Sequence, residues 1–319
     1  MIIIDRLIKG IIAKKSPIVV GLDPNIEYIP DIYKQPYTDM DDGLDAIGNT
    51  IFDFNKDIID CIHDYVPAVK PQIAYYELYG LSGLKAFYRT VRYAKERGML
   101  VIEDGKRNDI SETALAYANA HLGSIKDLKG LQKKPFDVDF LTVNPYLGSD
   151  GLNPFVETCK EYDKGIFVLV KTSNKSSGEF QDQICKDRPL YEFVADYVNL
   201  QANSYIGQYG YSSIGAVVGA TYPQHSQSLR SLMPKSFFLV PGFGAQGGSQ
   251  QDIVHCFNKD GLGAIINSSR AIIYSYSNQY DAASVNKDNY ISSVKNSVLN
   301  MQETILNELK IKYGNDLCY

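Results

Sequence analysis

Cysteine and histidine are scarce in this 319-residue chain, and neither is arranged for disulfide or metal chemistry. The five cysteines (Cys61, Cys159, Cys185, Cys256 and Cys318) are scattered, odd in number and never spaced as CxxC. That argues against a disulfide framework and fits a reducing, cytoplasmic setting. The four histidines (His63, His121, His225 and His255) show no metal-ligand spacing, so no metal is expected. A basic excess is missing as well. With 32 Lys and Arg against 37 Asp and Glu, the formal charge is -5, and no nucleic-acid footprint is expected. A small phosphorylated substrate stays open, because a pocket can be positive in a chain that is not. No run approaches the roughly 18 apolar residues of a membrane span. Met1 to Lys15 has too short an apolar run for a signal sequence and no cleavage site after it. Residues 1–15 read instead as a helix capping one end of the fold. Cys318, next to last, does not form a prenylation box.

What is present is enough apolar residue (45%, with 22% charged) to bury a sizeable core. Short apolar, β-branched runs recur at Ile18–Asp23, Ala68–Ala74, Met99–Lys106, Asp139–Tyr146, Gly165–Ser173, Ser213–Thr221, Phe237–Ala245 and Gly263–Ser269. Helical patterns separate them. The clearest places Leu44, Ile47, Ile51, Phe54, Ile58 and Ile62 on one face, and the last does the same with Ile291, Val294, Val298, Met301, Ile305 and Leu309. Strict strand–helix alternation predicts parallel strands with right-handed crossovers. Near-continuous apolar strands predict cover on both faces. An open doubly wound sheet would satisfy the same pattern. Eight evenly spaced units without a composition break favour an α/β fold of one domain, residues 1–319, closed as a (β/α)8 TIM barrel. Two connections are long for this architecture. Residues 24–43 follow the first strand and residues 174–189 the fifth. Both fall at the C-terminal face, where such barrels build their sites, and both are lid candidates.

The densest charge lies in Glu103-Asp104-Gly105-Lys106-Arg107-Asn108-Asp109, directly off an apolar strand. Asp104 and Lys106 are two apart, so on a strand they point the same way, into the barrel mouth. By itself this is equally a solvated strand-end turn. Lys70, inside the apolar run of the second strand, adds weight. If strands two and three are neighbours, Lys70 and Lys106 flank Asp104. Asp23 ends the first strand, where a carboxylate suits sugar hydroxyls but also suits a turn. Thr142 and Asn144 close the fourth strand, and Lys171, Thr172, Ser173 and Asn174 close the fifth. These groups can read the edge of a heterocycle or satisfy loop backbone.

Gly242, Gly244 and Gly247 spell GxGxxG, the dinucleotide fingerprint. That motif belongs to the first turn of a Rossmann unit, and here six strand–helix units precede it. Glycine-rich backbone can still approach a phosphate and offer N–H donors. Arg270 leaves the eighth strand, and loops after strands seven and eight form the usual phosphate site of this barrel.

Together these segments, from about Ile18 to Arg270, resemble the orotidine 5′-phosphate decarboxylase family. Its D-x-K-x-x-D-I-x-x-T signature is complete as Asp104, Lys106, Asp109, Ile110 and Thr113. Gly21-Leu22-Asp23, Lys70, Thr142–Tyr146, Pro241–Gln246 and Arg270 follow in the expected order, and the spelling is similar to the family's longer branch in some bacteria and parasites. The resemblance implies a metal- and cofactor-independent lyase converting orotidine 5′-monophosphate to UMP and CO2 in pyrimidine biosynthesis. It implies that Lys106 protonates C6, that Asp104 sits beside the substrate carboxylate, and that Lys70 and Asp109 complete the charged chain. Asp23 would hold ribose, Ser173 the pyrimidine, and Gln246 and Arg270 the phosphate. Asn144, Pro241 and Ser269 are implied as further substrate contacts. Asp109, Ile110 and Thr113 would act across a homodimer, in the partner's site. The chain departs from the family pattern at Gly105, where a larger apolar residue is usual. A glycine there is expected to loosen the backbone, and Glu103 is expected to point outward.

Three rival readings remain. A Mg²⁺-dependent sugar-phosphate decarboxylase of the same superfamily needs an acidic residue at the end of the second strand, where this chain has Lys70, which cannot bind Mg²⁺. A Schiff-base aldolase using Lys106 or Lys171 needs a neutral amine, whereas Asp104 favours an ammonium at Lys106. The third is a non-catalytic phosphate-binding protein, against which the complete charged set argues.

Overall fold

The computed structural model describes residues 1–220, 223–242 and 250–319. The eight apolar runs become strands β1 (Ile18–Leu22), β2 (Ala68–Pro71), β3 (Leu100–Arg107), β4 (Phe140–Val143), β5 (Gly165–Lys171), β6 (Ser212–Val218), β7 (Ser236–Val240) and β8 (Ala264–Ser268). They pair in parallel, each with its sequence neighbours, and β1 pairs with β8 to close the barrel. The closed barrel, not the open sheet, is the architecture. The principal helices are α1 (Ile3–Lys14), α2 (Gly43–Ile62), α3 (Gly80–Glu96), α4 (Ser111–His121), α5 (Ser149–Tyr162), α6 (Leu190–Asn203), α7 (Pro223–Leu232) and α8 (Lys287–Tyr313). None of the described helices is long and apolar enough to cross a membrane.

Side-chain alternation divides the apolar residues into two cores. Inward residues such as Val19, Leu100, Ile102, Phe140, Phe167 and Ile265 fill the barrel, and Ile4, Leu7, Ile8 and Ile11 of α1 belong to the same buried cluster. Outward residues such as Ile18, Val20, Val69, Val101 and Val168 pack beneath the helices. Each such side chain contributes roughly 1.5–3 kcal/mol on burial. Helix ends follow local chemistry. Asp42 caps α2 by accepting from Leu44 N and Asp45 N, a contact worth about 1 kcal/mol. The stripe Val294, Val298, Met301, Ile305 and Leu309 forms the buried face of α8.

Some runs end sooner than their composition suggests. The second stops as a strand at Pro71, with a single further bridge from Gln72 to Asp104, and a helical turn begins at Ala74. The fourth stops at Val143, because Pro145 has no N–H to offer the ladder. Thr221 and Ala245, at the ends of the sixth and seventh runs, lie outside the described residues. Both long connections carry local structure. The first holds a helical turn, Asp31–Lys34, whose Tyr33 hydroxyl donates to Asp57 of α2 at 2.9 Å. The other folds into short helical turns and a small hairpin, Ile184–Cys185 against Arg188–Pro189.

Candidate active site

The C-terminal ends of the strands surround a cavity of about 320 Å³. The β2–β3 register pairs Ala68 with Leu100 and Val69 with Val101. Lys70, Gln72, Ile102 and Asp104 therefore share the inward face, as the two-residue period requires. Lys70, only 4% exposed, donates to Asp104 Oδ2 at 2.9 Å, and Lys106 Nζ reaches Asp104 Oδ1 at 2.5 Å. The expected Lys–Asp–Lys alternation is what the two strands build.

Neutral groups take the remaining lone pairs. Gln72 Nε2 donates to Oδ2 at 2.9 Å, and Thr142 Oγ1 donates to Oδ1 at 3.1 Å. Thr142 Oγ1 in turn accepts from Lys106 N at 2.9 Å. Asp104 thus has four donors, two per oxygen. A carboxylate taken this far from water is tolerated only when paired and hydrogen-bonded. Burial would raise the Asp104 pKa, but the Lys70 and Lys106 ammoniums outweigh it and hold the group well below the usual carboxylate range. Burial would also pull Lys70 down, yet the Asp104 and Asp23 carboxylates outweigh it and leave the ammonium above its ordinary value.

Lys106 reaches its position in a way that simple alternation does not predict. Its φ is +47°, and the β3–β4 register shifts between Glu103 and Arg107. A lysine in the left-handed region is strained unless its surroundings enforce it. The Thr142 hydroxyl on its N–H is one such restraint. Ser111, at the start of α4, also has positive φ (+49°), so two strained residues bracket the connection that carries Asp109 and Ile110.

The rest of the wall comes from other strand ends. Asp23, Ser173, Pro241, Ser269 and Arg270 all line the cavity, as do Thr172, Asn174, Gly242 and Asn267. Gly21 is required here, because a β-carbon on it would lie 1.8 Å from Ser269 Oγ. Gln246, with Gly244 and Gly247 of the glycine-rich loop, lies outside the described residues. Asn144 is not a wall residue: its Oδ1 accepts from Tyr146 N in the turn after β4. Asp109, Ile110 and Thr113 are not wall residues either. They sit on the surface at the start of α4, with Ile110 50% exposed.

Sequence reasoning overlooked three features. Gln72 shares Asp104 Oδ2 with Lys70, and only the β2–β3 register could have revealed it. Lys171, just 2% exposed, does not line the cavity but ties down the connection after β5, donating to Asp182 Oδ1 at 2.6 Å and Ser177 Oγ at 3.3 Å. In that connection Gln181 accepts from Thr172 N and donates to Thr172 Oγ1. Glu103 points away from the barrel mouth as expected, yet it is fully buried, with His121 Nδ1 2.7 Å from its Oε2.

Comparison with known proteins places this geometry. The sequence model of the orotidine 5'-phosphate decarboxylase / HUMPS family matches residues 16–285. The chain is 43% identical to the orotidine 5'-phosphate decarboxylase of Caldicellulosiruptor bescii over 92% of this chain and 97% of that one. It is 39% identical to that of Clostridium tetani over 97% and 99%. Among solved structures it is similar to the OMP decarboxylase of Leishmania donovani, with a TM-score of 0.71, 29% identity, and coverage of 97% and 99%. It is also similar to the UMP synthase of the same organism (TM-score 0.72, 31% identity), of which it spans 57% while 97% of this chain is covered. With a matching family sequence over most of its length and relatives aligned end to end, this chain belongs to the orotidine 5'-phosphate decarboxylase family.

Proposed function

We infer that this chain decarboxylates orotidine 5′-monophosphate to UMP and CO2 in pyrimidine biosynthesis, with Lys106 as proton donor. The observation that carries this reading is Asp104, ionised and held by four donors between Lys70 and Lys106. When the C6–carboxylate bond breaks, the electron pair stays on C6 and CO2 departs. The pyrimidine offers no adjacent electron sink, so fixed charge must stabilise the carbanion. Lys106 supplies that charge and then transfers a proton from Nζ to C6. Its side chain is 47% exposed, which leaves the neutral amine open to reprotonation from water.

The same arrangement keeps the ammonium aimed. Asp104 binds its Nζ, Thr142 fixes its backbone, and Lys70 keeps Asp104 ionised. Arg270 and the backbone after β7 would grip the phosphate far from C6, and binding energy there would orient the ring. Asp23 would take ribose hydroxyls and Ser173 the pyrimidine edge. Asp109, half-buried, and Ile110 and Thr113, exposed, do not line their own chain's cavity and suit a homodimer in which each α4 start completes the partner's site. Five cysteines without a disulfide support a cytoplasmic setting. The Mg²⁺-dependent alternative calls for a carboxylate where Lys70 stands.

The test is loss of orotidine 5′-monophosphate absorbance with purified protein, with and without EDTA. The reading predicts equal rates in both. No loss would remove the assignment, and loss abolished by EDTA would transfer it to the metal-dependent rival.

A further inference from the structure

Glu103 and Gly105 lie on the outward face of β3, on either side of Asp104. Glu103 is 0% exposed, and its Oε2 lies 2.7 Å from His121 Nδ1. The His121 ring stacks on Phe136, with centroids 4.9 Å apart and 19° between planes. Oε1 of Glu103 is buried without a hydrogen-bond partner among the described residues. A β-carbon on Gly105 would stand 3.0 Å from that Oε1 and 3.0 Å from Leu141 Cδ1.

The two outward positions that flank Asp104 are therefore one feature. The side chain missing at Gly105 leaves the room that the Glu103 carboxylate fills. Gly105 has no positive φ, so a side chain there would meet no backbone strain, only crowding that the Glu103 and Leu141 side chains would have to relieve. His121 is the last residue of α4, and the helix starts just after Asp109 and Ile110. The Glu103–His121 contact ties the strand bearing Asp104 and Lys106 to that helix. It does so three residues before the strained Lys106, which Thr142 restrains from the other side.

We propose that Glu103 is a positioning residue. Through His121 it fixes the end of β3, and so the placement of Asp104 and Lys106, and Gly105 is its steric complement. This rests on the reading of Lys106 and Asp104 as the charged couple of the decarboxylation. Glu103 touches no substrate, so its effect should fall on kcat while KM and UMP affinity hold.

The experiment is a double-mutant cycle on the full chain, with kcat and KM for orotidine 5′-monophosphate and the UMP Kd measured well below each melting temperature. Glu103→Ala is expected to lower kcat by about tenfold or more, since small misplacements at a reacting centre are costly. Gly105→Ala, with Glu103 intact, is expected to lower it by about tenfold through crowding of Oε1 and Leu141. In the Glu103→Ala background the same change should cost less than about twofold, because the space is vacant. Equal losses from Gly105→Ala in both backgrounds overturn the proposal, as does wild-type kcat in either single variant. Glu103→Gln, which preserves volume and a hydrogen bond, should keep kcat within about threefold. If Glu103→Ala does not fold, wild-type kcat in Gly105→Ala alone still overturns the proposal, and a tenfold loss there with kcat kept in Glu103→Gln supports it. Lys106→Ala run in parallel separates the two levels. Turnover in that variant defeats the underlying reading, whereas neutral Glu103 and Gly105 variants beside an inactive Lys106→Ala defeat only this proposal.

Discussion

Replacing Lys70 with methionine tests the electrostatics of the site through stability as well as rate. Lys70 is buried, and its ammonium takes one of the four places around Asp104. Methionine keeps most of the volume and removes the charge. Breaking a buried pair by deleting one partner costs about 3–5 kcal/mol, chiefly through the charge left behind. Here Lys106, Gln72 and Thr142 remain on Asp104, so a loss of about 2–4 kcal/mol is expected at neutral pH. The pH dependence follows from the two shifts. Asp104 has a depressed pKa in the folded protein, so its contribution is present above the unfolded value of about 3.9 and lost as pH falls through the folded value. Lys70 has a raised pKa, so its contribution is complete below the unfolded value of about 10.4 and lost as pH rises through the folded one. Without Lys70, burial acts on Asp104 with one ammonium fewer to oppose it, and the variant loses less on acidification than the wild type. The stability difference should therefore be largest near neutrality and shrink below about pH 4 and above about pH 10.4. Urea denaturation of both proteins across that range measures it. A difference that stays constant with pH, or one below about 1 kcal/mol at pH 7, would refute the claim that Lys70 and Asp104 form a coupled buried pair.

Further outcomes follow from the same geometry. In a homodimer with shared sites, Lys106→Ala and Asp109→Ala are each inactive alone. After mixing and subunit exchange, heterodimers should recover up to about a quarter of wild-type activity, and recovery of none would remove the proposed sharing. Asp182→Ala removes the exposed partner of the buried Lys171 and so loosens the connection after β5. KM should rise several-fold and limited proteolysis should cut within residues 174–189, while unchanged KM and unchanged cleavage would show that the ion pair does not hold this connection.

The barrel was legible because its strands announce themselves chemically. Runs such as Ile18-Val19-Val20 and Leu100-Val101-Ile102 are apolar and β-branched, and amphipathic stretches separate them. Lys70, Asp104 and Lys106 were legible for a related reason. Charges inside apolar runs are conspicuous, and a two-residue period predicts which side they face. What escaped depends on register and on long-range packing. Gln72 resembles any polar strand-end residue until the pairing with β3 sets it beside Asp104. His121 is 18 positions from Glu103, and only the return of α4 over β3 brings them together. The left-handed Lys106 gave no signal, because a lysine there looks the same as one in an extended strand. Asn144 shows why strand-end amides are ambiguous in a sequence, since its Oδ1 accepts from Tyr146 N in the turn after β4.

The most direct test of the central claim is Lys106→Ala, assayed for release of CO2 from orotidine 5′-monophosphate and, by calorimetry, for UMP binding. The account predicts no detectable turnover with UMP still bound, because the proton donor is lost while the phosphate, ribose and ring contacts persist. Turnover near the wild-type rate in that variant would contradict it.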